Sequence, residues 1–88
     1  MIMLPEISRF YGIRIFMYYD EHNPPHFHAK YDGEEAEYNF DGDILRGSMP
    51  PRISKIIAGW AVLHSRELEE NWDDARDGRE LTSIRGLK

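Results

Sequence analysis

Three imidazoles fall within seven residues in the string His22-Asn-Pro-Pro-His26-Phe-His28. Imidazole is both a common metal ligand and a general acid–base group that titrates near neutral pH. His26 and His28 are two residues apart, which in an extended strand puts both side chains on one face, roughly 6–7 Å from each other. Two imidazoles so placed can meet at one cation. His22, folded back by the prolines, would supply a third nitrogen, and Asp20 or Glu37 a carboxylate ligand or a partner to one. The candidate metal set is therefore His22, His26, His28 and Asp20. Imidazole-rich ligation favours a transition metal such as zinc or nickel, or copper or iron, over magnesium.

The same strand supports chemistry without a metal. His26, His28 and Lys30 would project in a row as a candidate catalytic set. Two histidines and a lysine can cleave RNA by activating its 2′-hydroxyl and stabilising the charged phosphorane. Arg14 would hold phosphate, and Phe16 or Tyr18 would stack a base. The plain alternative is that His28 opposite Glu37 and Lys30 opposite Glu35 are ordinary cross-strand pairs, contributing about 0.2–1 kcal/mol each. No Gly-rich phosphate loop, nucleophile elbow or His-Glu-x-x-His zinc motif occurs in the sequence.

The elements that must carry these residues can be read from the pattern. Residues 1–11 form an irregular or short extended lead-in. Residues 13–19, Ile-Arg-Ile-Phe-Met-Tyr-Tyr, are rich in β-branched and aromatic types and predict a strand. Residues 20–25 are a turn, because neither proline of Asn23-Pro24-Pro25 donates to a ladder. Residues 26–31 and 34–40 are strands joined by Asp32-Gly33, the signal of a two-residue type I′ hairpin. That turn sets a register in which Tyr31 faces Glu34, Lys30 faces Glu35, Ala29 faces Ala36, His28 faces Glu37, Phe27 faces Tyr38 and His26 faces Asn39. Alternation then puts Phe27, Ala29, Ala36, Tyr38 and Phe40 on one face, with Ile13, Ile15, Met17 and Tyr19 beside them. The other face holds His26, His28, Lys30, Glu35, Glu37 and Asn39, alongside Arg14, Phe16, Tyr18 and Asp20. Arg14, Phe16, Tyr18, Glu37 and Asn39 are thus the candidate binding surface, and a bulky Phe16 on an uncovered face hints at a ligand or partner.

After a second turn at residues 41–43 and a short apolar piece, Ile44-Leu45, a helix is predicted over residues 51–77. Ser48 or Met49 would stand near its cap and proline in its first turn. Ile53, Ile56, Ile57, Trp60, Leu63, His64, Leu68, Trp72 and Ala75 recur every three or four residues and trace an apolar stripe. A break near residues 65–67 would divide it into two helices. His64 is read as packing at the edge of the helix–sheet interface, and the acidic run from Glu67 to Asp74 as a solvated face. Gly78 fits a helix stop, and residues 81–84 a short edge strand. The fold class is α+β: a three- to four-stranded antiparallel meander with one long C-terminal helix packed on one face.

Composition narrows the function classes. The chain of 88 residues is 41% hydrophobic and 12% aromatic, which suits a single folded domain spanning residues 1–88. It has no cysteine, so neither a disulfide nor a thiolate zinc site can form. No apolar run approaches the roughly 20 residues of a membrane span. The start, Met1-Ile-Met-Leu-Pro5, lacks the charged and apolar regions of a signal peptide, so the cytoplasm is the expected location. The net charge of −5 disfavours non-specific nucleic-acid binding.

Several stretches resemble a known family. They are Glu6-Ile-Ser-Arg-Phe-Tyr-Gly-Ile13, Met17-Tyr-Tyr-Asp-Glu-His-Asn-Pro-Pro-His-Phe-His-Ala-Lys-Tyr31, Ile44-Leu-Arg-Gly-Ser-Met-Pro-Pro-Arg52, Trp60-Ala-Val-Leu-His64 and Glu67-Leu-Glu-Glu-Asn-Trp-Asp-Asp-Ala-Arg-Asp-Gly78. Together they look like the bacterial family termed domain of unknown function 4160. The resemblance implies a small stand-alone prokaryotic protein, associated with partner genes in a manner similar to toxin–antitoxin pairs. It transfers no catalytic or binding residue. The expectation is a binding or regulatory module of toxin–antitoxin type that engages a protein partner. The alternative is a small histidine-centred enzyme, a metal-dependent hydrolase or RNase, or a metal-binding protein. An uncovered sheet face and an edge strand would also allow a homodimer.

Overall fold

The computed structural model describes residues 5–88. The expected lack of a signal peptide concerns mainly residues 1–4 and lies outside the described residues. The sheet is built around the Asp32-Gly33 turn, whose two residues both take positive φ, 48° and 82°, as a type I′ hairpin requires. It joins β3 (Phe27–Tyr31) to β4 (Glu34–Tyr38). The register runs from Tyr31↔Glu34 through His28↔Glu37 to Phe27↔Tyr38, as the hairpin count predicts. A second turn of the same shape, Tyr11-Gly12 with φ of 52° and 78°, joins β1 (Glu6–Phe10) to β2 (Ile13–Phe16).

The described sheet has five antiparallel strands in the order β1-β2-β3-β4-β5, a simple meander. This extends the expected three or four strands at both edges. The lead-in contains a true strand: Glu6 to Phe10 pairs with β2, with an irregularity between Glu6 and Ser8, and buries Ile7 and Phe10. The piece after residue 43 is β5 (Ile44–Gly47), paired with β4 although every one of its residues is exposed. The predicted strand over residues 13–19 ends early, at Phe16.

The helical segment is likewise divided. Pro50 caps α1 (Pro51–Leu63) in place of Ser48 or Met49, and makes no side-chain cap bond. After His64, at φ −112° and ψ 24°, α2 (Ser65–Arg76) begins. The single long helix is therefore two helices with a break one residue before the alternative position considered above. The break explains why Leu63, in phase with the apolar stripe, is 69% exposed: the stripe turns at His64. His64 itself is half-buried, with its ring 5.5 Å from that of Trp60 and its Nδ1–H donated to Glu67 Oε1 at 2.6 Å.

The core lies between the sheet and these helices. Ile13, Ile15, Met17, Phe27, Ala29, Ala36 and Tyr38 from the sheet meet Ile57, Trp60, Leu68, Trp72 and Ala75. Trp60 is its centre, with ring centroids 5.3 Å from Phe10 and 5.7 Å from Phe27. The C-terminal tail forms no strand. It nevertheless runs beside β1, where the Ile84 amide donates to Ile7 O at 2.7 Å and the Trp60 indole N–H to Arg85 O at 3.0 Å. A Cβ at Gly86 would lie only 2.8 Å from Arg9 O, so the approach there is too close for any larger residue.

Candidate metal centre

The turn of residues 20–25 brings the chain back across the end of the sheet, and Asp20, at φ 61°, begins that return. The result is a convergence of Glu21, His26 and His28, whose ligand atoms all lie within 4.8 Å of one another. His28, in β3, reaches it from the sheet face away from the helices. His26 stands one residue before β3 and so has no ladder partner, unlike its expected pairing with Asn39. The two rings are 5.2 Å apart. Both histidines are buried, at 6% and 8% exposure, which disposes of the picture of a solvated row. The Tyr18 ring stands edge-on to His28 at 4.6 Å, and the Trp72 ring of α2 lies 5.4 Å from His26. The site thus backs onto α2 at the rim of the sheet.

The hydrogen bonds assign the ring protons. His26 Nδ1 lies 2.8 Å from Pro24 O. A carbonyl only accepts, so Nδ1 carries the proton and Nε2 is the nitrogen turned toward the site. That nitrogen faces Glu21 Oε1 at 3.6 Å and Glu37 Oε1 at 3.8 Å. A carbonyl-held imidazole with its other nitrogen free is the arrangement that orients metal-ligating histidines. His28 Nε2 donates to Glu21 Oε1 at 2.7 Å, which leaves its Nδ1 a buried acceptor with no hydrogen-bond partner. Glu35 Oε2 stands 3.7 Å from that nitrogen.

Beside these groups is a cavity of about 360 Å³, lined by Glu21, His22, Asn23, Pro24, His26, Glu37, Leu45 and Arg46. His22 therefore lies on the wall of the cavity and outside the converging set, and it is exposed. Asp20 is exposed and does not join the set either. Glu21 takes the carboxylate role expected of Asp20. No periodic signal marks it, since it belongs to an irregular turn.

The remaining candidates are distributed elsewhere. Lys30 and Arg14 line a different hollow, near Gly12 and Asp32. Lys30 Nζ lies 4.8 Å and the Arg14 guanidinium 4.9 Å from the centroid of Phe16. Phe16 is stacked on Tyr18 as well, at 6.0 Å. The aromatic on the uncovered face is thus 7% exposed, covered by cations and not open to a ligand. Arg14 also donates to Glu6 Oε1 at 2.8 Å. Asn39 is consumed by the β4–β5 turn, where its Oδ1 accepts the amides of Asp41 and Asp43. Glu37 does reach the site.

A family model described as Domain of unknown function (DUF4160) matches residues 12–73. The chain belongs to the DUF4160 family. No curated protein and no solved structure matches it. The span matched to DUF4160 contains every group of the site: Glu21, His26, His28, Glu35, Glu37 and Arg46.

Proposed function

We propose that this DUF4160 protein is a small metalloprotein that binds one divalent transition-metal ion through Glu21, His26 and His28 and uses it as a hydrolytic centre. The observation that carries this reading is the buried Nδ1 of His28 with no hydrogen-bond partner. Coordination through His28 Nε2 moves the ring proton to Nδ1, and the Glu35 carboxylate is then the nearby acceptor. A cation in place of the Nε2 proton thus gives the orphan atom a role. Two ligands bound to one zinc at about 2.0–2.1 Å stand roughly 3.3 Å apart in tetrahedral geometry. The 2.7 Å between Glu21 and His28 therefore opens slightly on loading.

Two imidazoles and a carboxylate leave at least one coordination position toward the cavity. Structural zinc sites are closed, whereas three protein ligands with an open position are the catalytic pattern. A bound water there would have its pKa lowered toward neutrality and become a nucleophile. Elemental analysis and calorimetric titration with zinc, nickel and cobalt test the site. Wild type is expected to bind at a ratio of one, and His26→Gln and His28→Gln to lose about 100-fold or more in affinity with their circular dichroism intact. His64→Gln, a histidine held elsewhere by Glu67, should bind as wild type. Equal binding by all four proteins would defeat the proposal.

A second reading, a partner-binding module of toxin–antitoxin type, is favoured by β5. It is an edge strand whose Ile44 and Leu45 are 42% and 43% exposed. Such an edge offers unpaired backbone groups to an added strand. Purification from the host with whatever accompanies the protein tests it. Under this reading His26→Gln and His28→Gln leave the association intact.

A further inference from the structure

Arg46 stands opposite Glu37 across the β4–β5 ladder and lines the cavity beside the histidines. A cross-strand Arg and Glu would ordinarily pair. Here they do not: Glu37 leans to His26 Nε2, and among the described residues Arg46 makes no ion pair. The other arginines near the sheet face are already engaged, Arg9 and Arg14 with Glu6. One unpaired guanidinium therefore faces the same space as the open side of the metal centre.

We propose that this cavity takes a small anionic ligand, a carboxylate or a phosphate monoester, with one oxygen on the metal and the others on the Arg46 guanidinium. This deepens the metal-site reading and rests on it. A guanidinium matches both anions because its planar fork donates two parallel hydrogen bonds. The cavity of about 360 Å³ falls at the small end of ligand pockets. At roughly 30 Å³ for each water-sized group it holds on the order of a dozen non-hydrogen atoms. Leu45 and Pro24 give it an apolar wall for the carbon part of the ligand.

Charge makes the two binding events depend on each other. Glu21 and Glu37 place two carboxylates on the cavity, which repel an anion while the centre holds no cation. A divalent ion balances them, and Arg46 then leaves a net positive pocket. Anion and metal must therefore raise each other's affinity by the same factor, as linkage requires.

The test uses the full chain loaded with cobalt(II), whose visible absorption reports its coordination. Trp72 fluorescence serves as a second readout, since that ring lies 5.4 Å from His26. Acetate and inorganic phosphate are titrated separately. Saturable changes are expected with at least one, and the tighter of the two identifies the ligand source. Arg46→Gln should weaken that anion by about tenfold or more while cobalt affinity stays within about threefold. Arg46→Lys, which keeps charge but loses the fork, should fall between. Metal-free protein should bind the anion at least about tenfold more weakly. Anion binding that is unchanged in Arg46→Gln, or equal without metal, overturns this inference alone. Failure of wild type to take up cobalt overturns the metal centre and this inference together.

Discussion

Glu6 accepts two hydrogen bonds from Arg9, at 2.9 and 3.1 Å, and one from Arg14 at 2.8 Å. The Arg9 bonds are the main cause that holds its carboxyl below the usual value of 4.5. Desolvation opposes them, and Arg14 reinforces them. The folded protein therefore binds this proton less tightly than the unfolded chain does. Its contribution to stability is present above about pH 4.5 and disappears as the pH falls through the lowered folded value. Glu6→Gln should be slightly less stable than wild type in urea at pH 7 and indistinguishable from it near pH 3. A difference that persists unchanged in acid would refute the assignment. At this scale the sequence was informative where alternation governs: His28, Glu37, Lys30 and Glu35 could be placed because the Asp32-Gly33 turn dictates register. It was uninformative for Glu21, whose position depends on an irregular turn, and for Asn39, whose amide is captured by a turn that alternation does not describe.

Among the elements, the C-terminal tail is held in part by one buried polar side chain. Asn71 of α2 is 1% exposed, donates to Thr82 O at 2.8 Å and accepts from the Thr82 amide at 2.9 Å. This pair of bonds fastens the tail where it starts toward β1. Asn71→Ala should cost about 1–3 kcal/mol, read as a lower denaturation midpoint, and should speed hydrogen exchange at the Ile84 amide. Exchange at Ile84 that stays as slow as in wild type would show that the tail is held without Asn71. Asn71 was not legible as a core residue because a polar amide on a helix is ordinarily solvated, and only its tail partner gives it a reason to be inside. The strands β1 and β5 were missed for opposite reasons. Glu6 to Phe10 is only five residues long, and an irregularity between Glu6 and Ser8 breaks its alternation. Ile44 to Gly47 buries nothing and so carries no hydrophobic period at all. The helix break was read only as an alternative, near residues 65–67, because Trp60, His64 and Leu68 keep the same spacing across it.

The whole molecule is unequal at its two sheet edges. The tail runs beside β1, while β5 carries exposed Ile44 and Leu45. With a radius of gyration of 11.9 Å, close to the roughly 12 Å expected of a compact chain this long, the described residues are tightly drawn together. No described helix is long and apolar enough to cross a membrane. If the molecule joins a protein partner by strand addition, the contact should fall on β5. Ile44→Glu, at a β5 residue off the cavity wall, should then abolish co-purification of that partner, with metal affinity changed by no more than a few fold. Retention of the partner by Ile44→Glu would move the contact off this edge. The α+β class and the meander were visible in the sequence because each hairpin is local. The difference between the two edges was not, because it comes from residues at opposite ends of the chain.

The bond between Ile84 and Ile7 also has a consequence for the order of assembly. Every ladder of the meander joins strands that are neighbours in sequence, so each closes a short loop. The Ile84–Ile7 contact instead closes a loop of 77 residues, and among these contacts loop-closure entropy is greatest there. During synthesis the strands emerge before residues 51–76, so the apolar face of the sheet has no cover until the helices follow. The bond from Ile84 holds β1 only once both helices are in place. A nascent chain of this protein is therefore most vulnerable to misassociation while β1 to β5 have emerged and residues 51–76 have not.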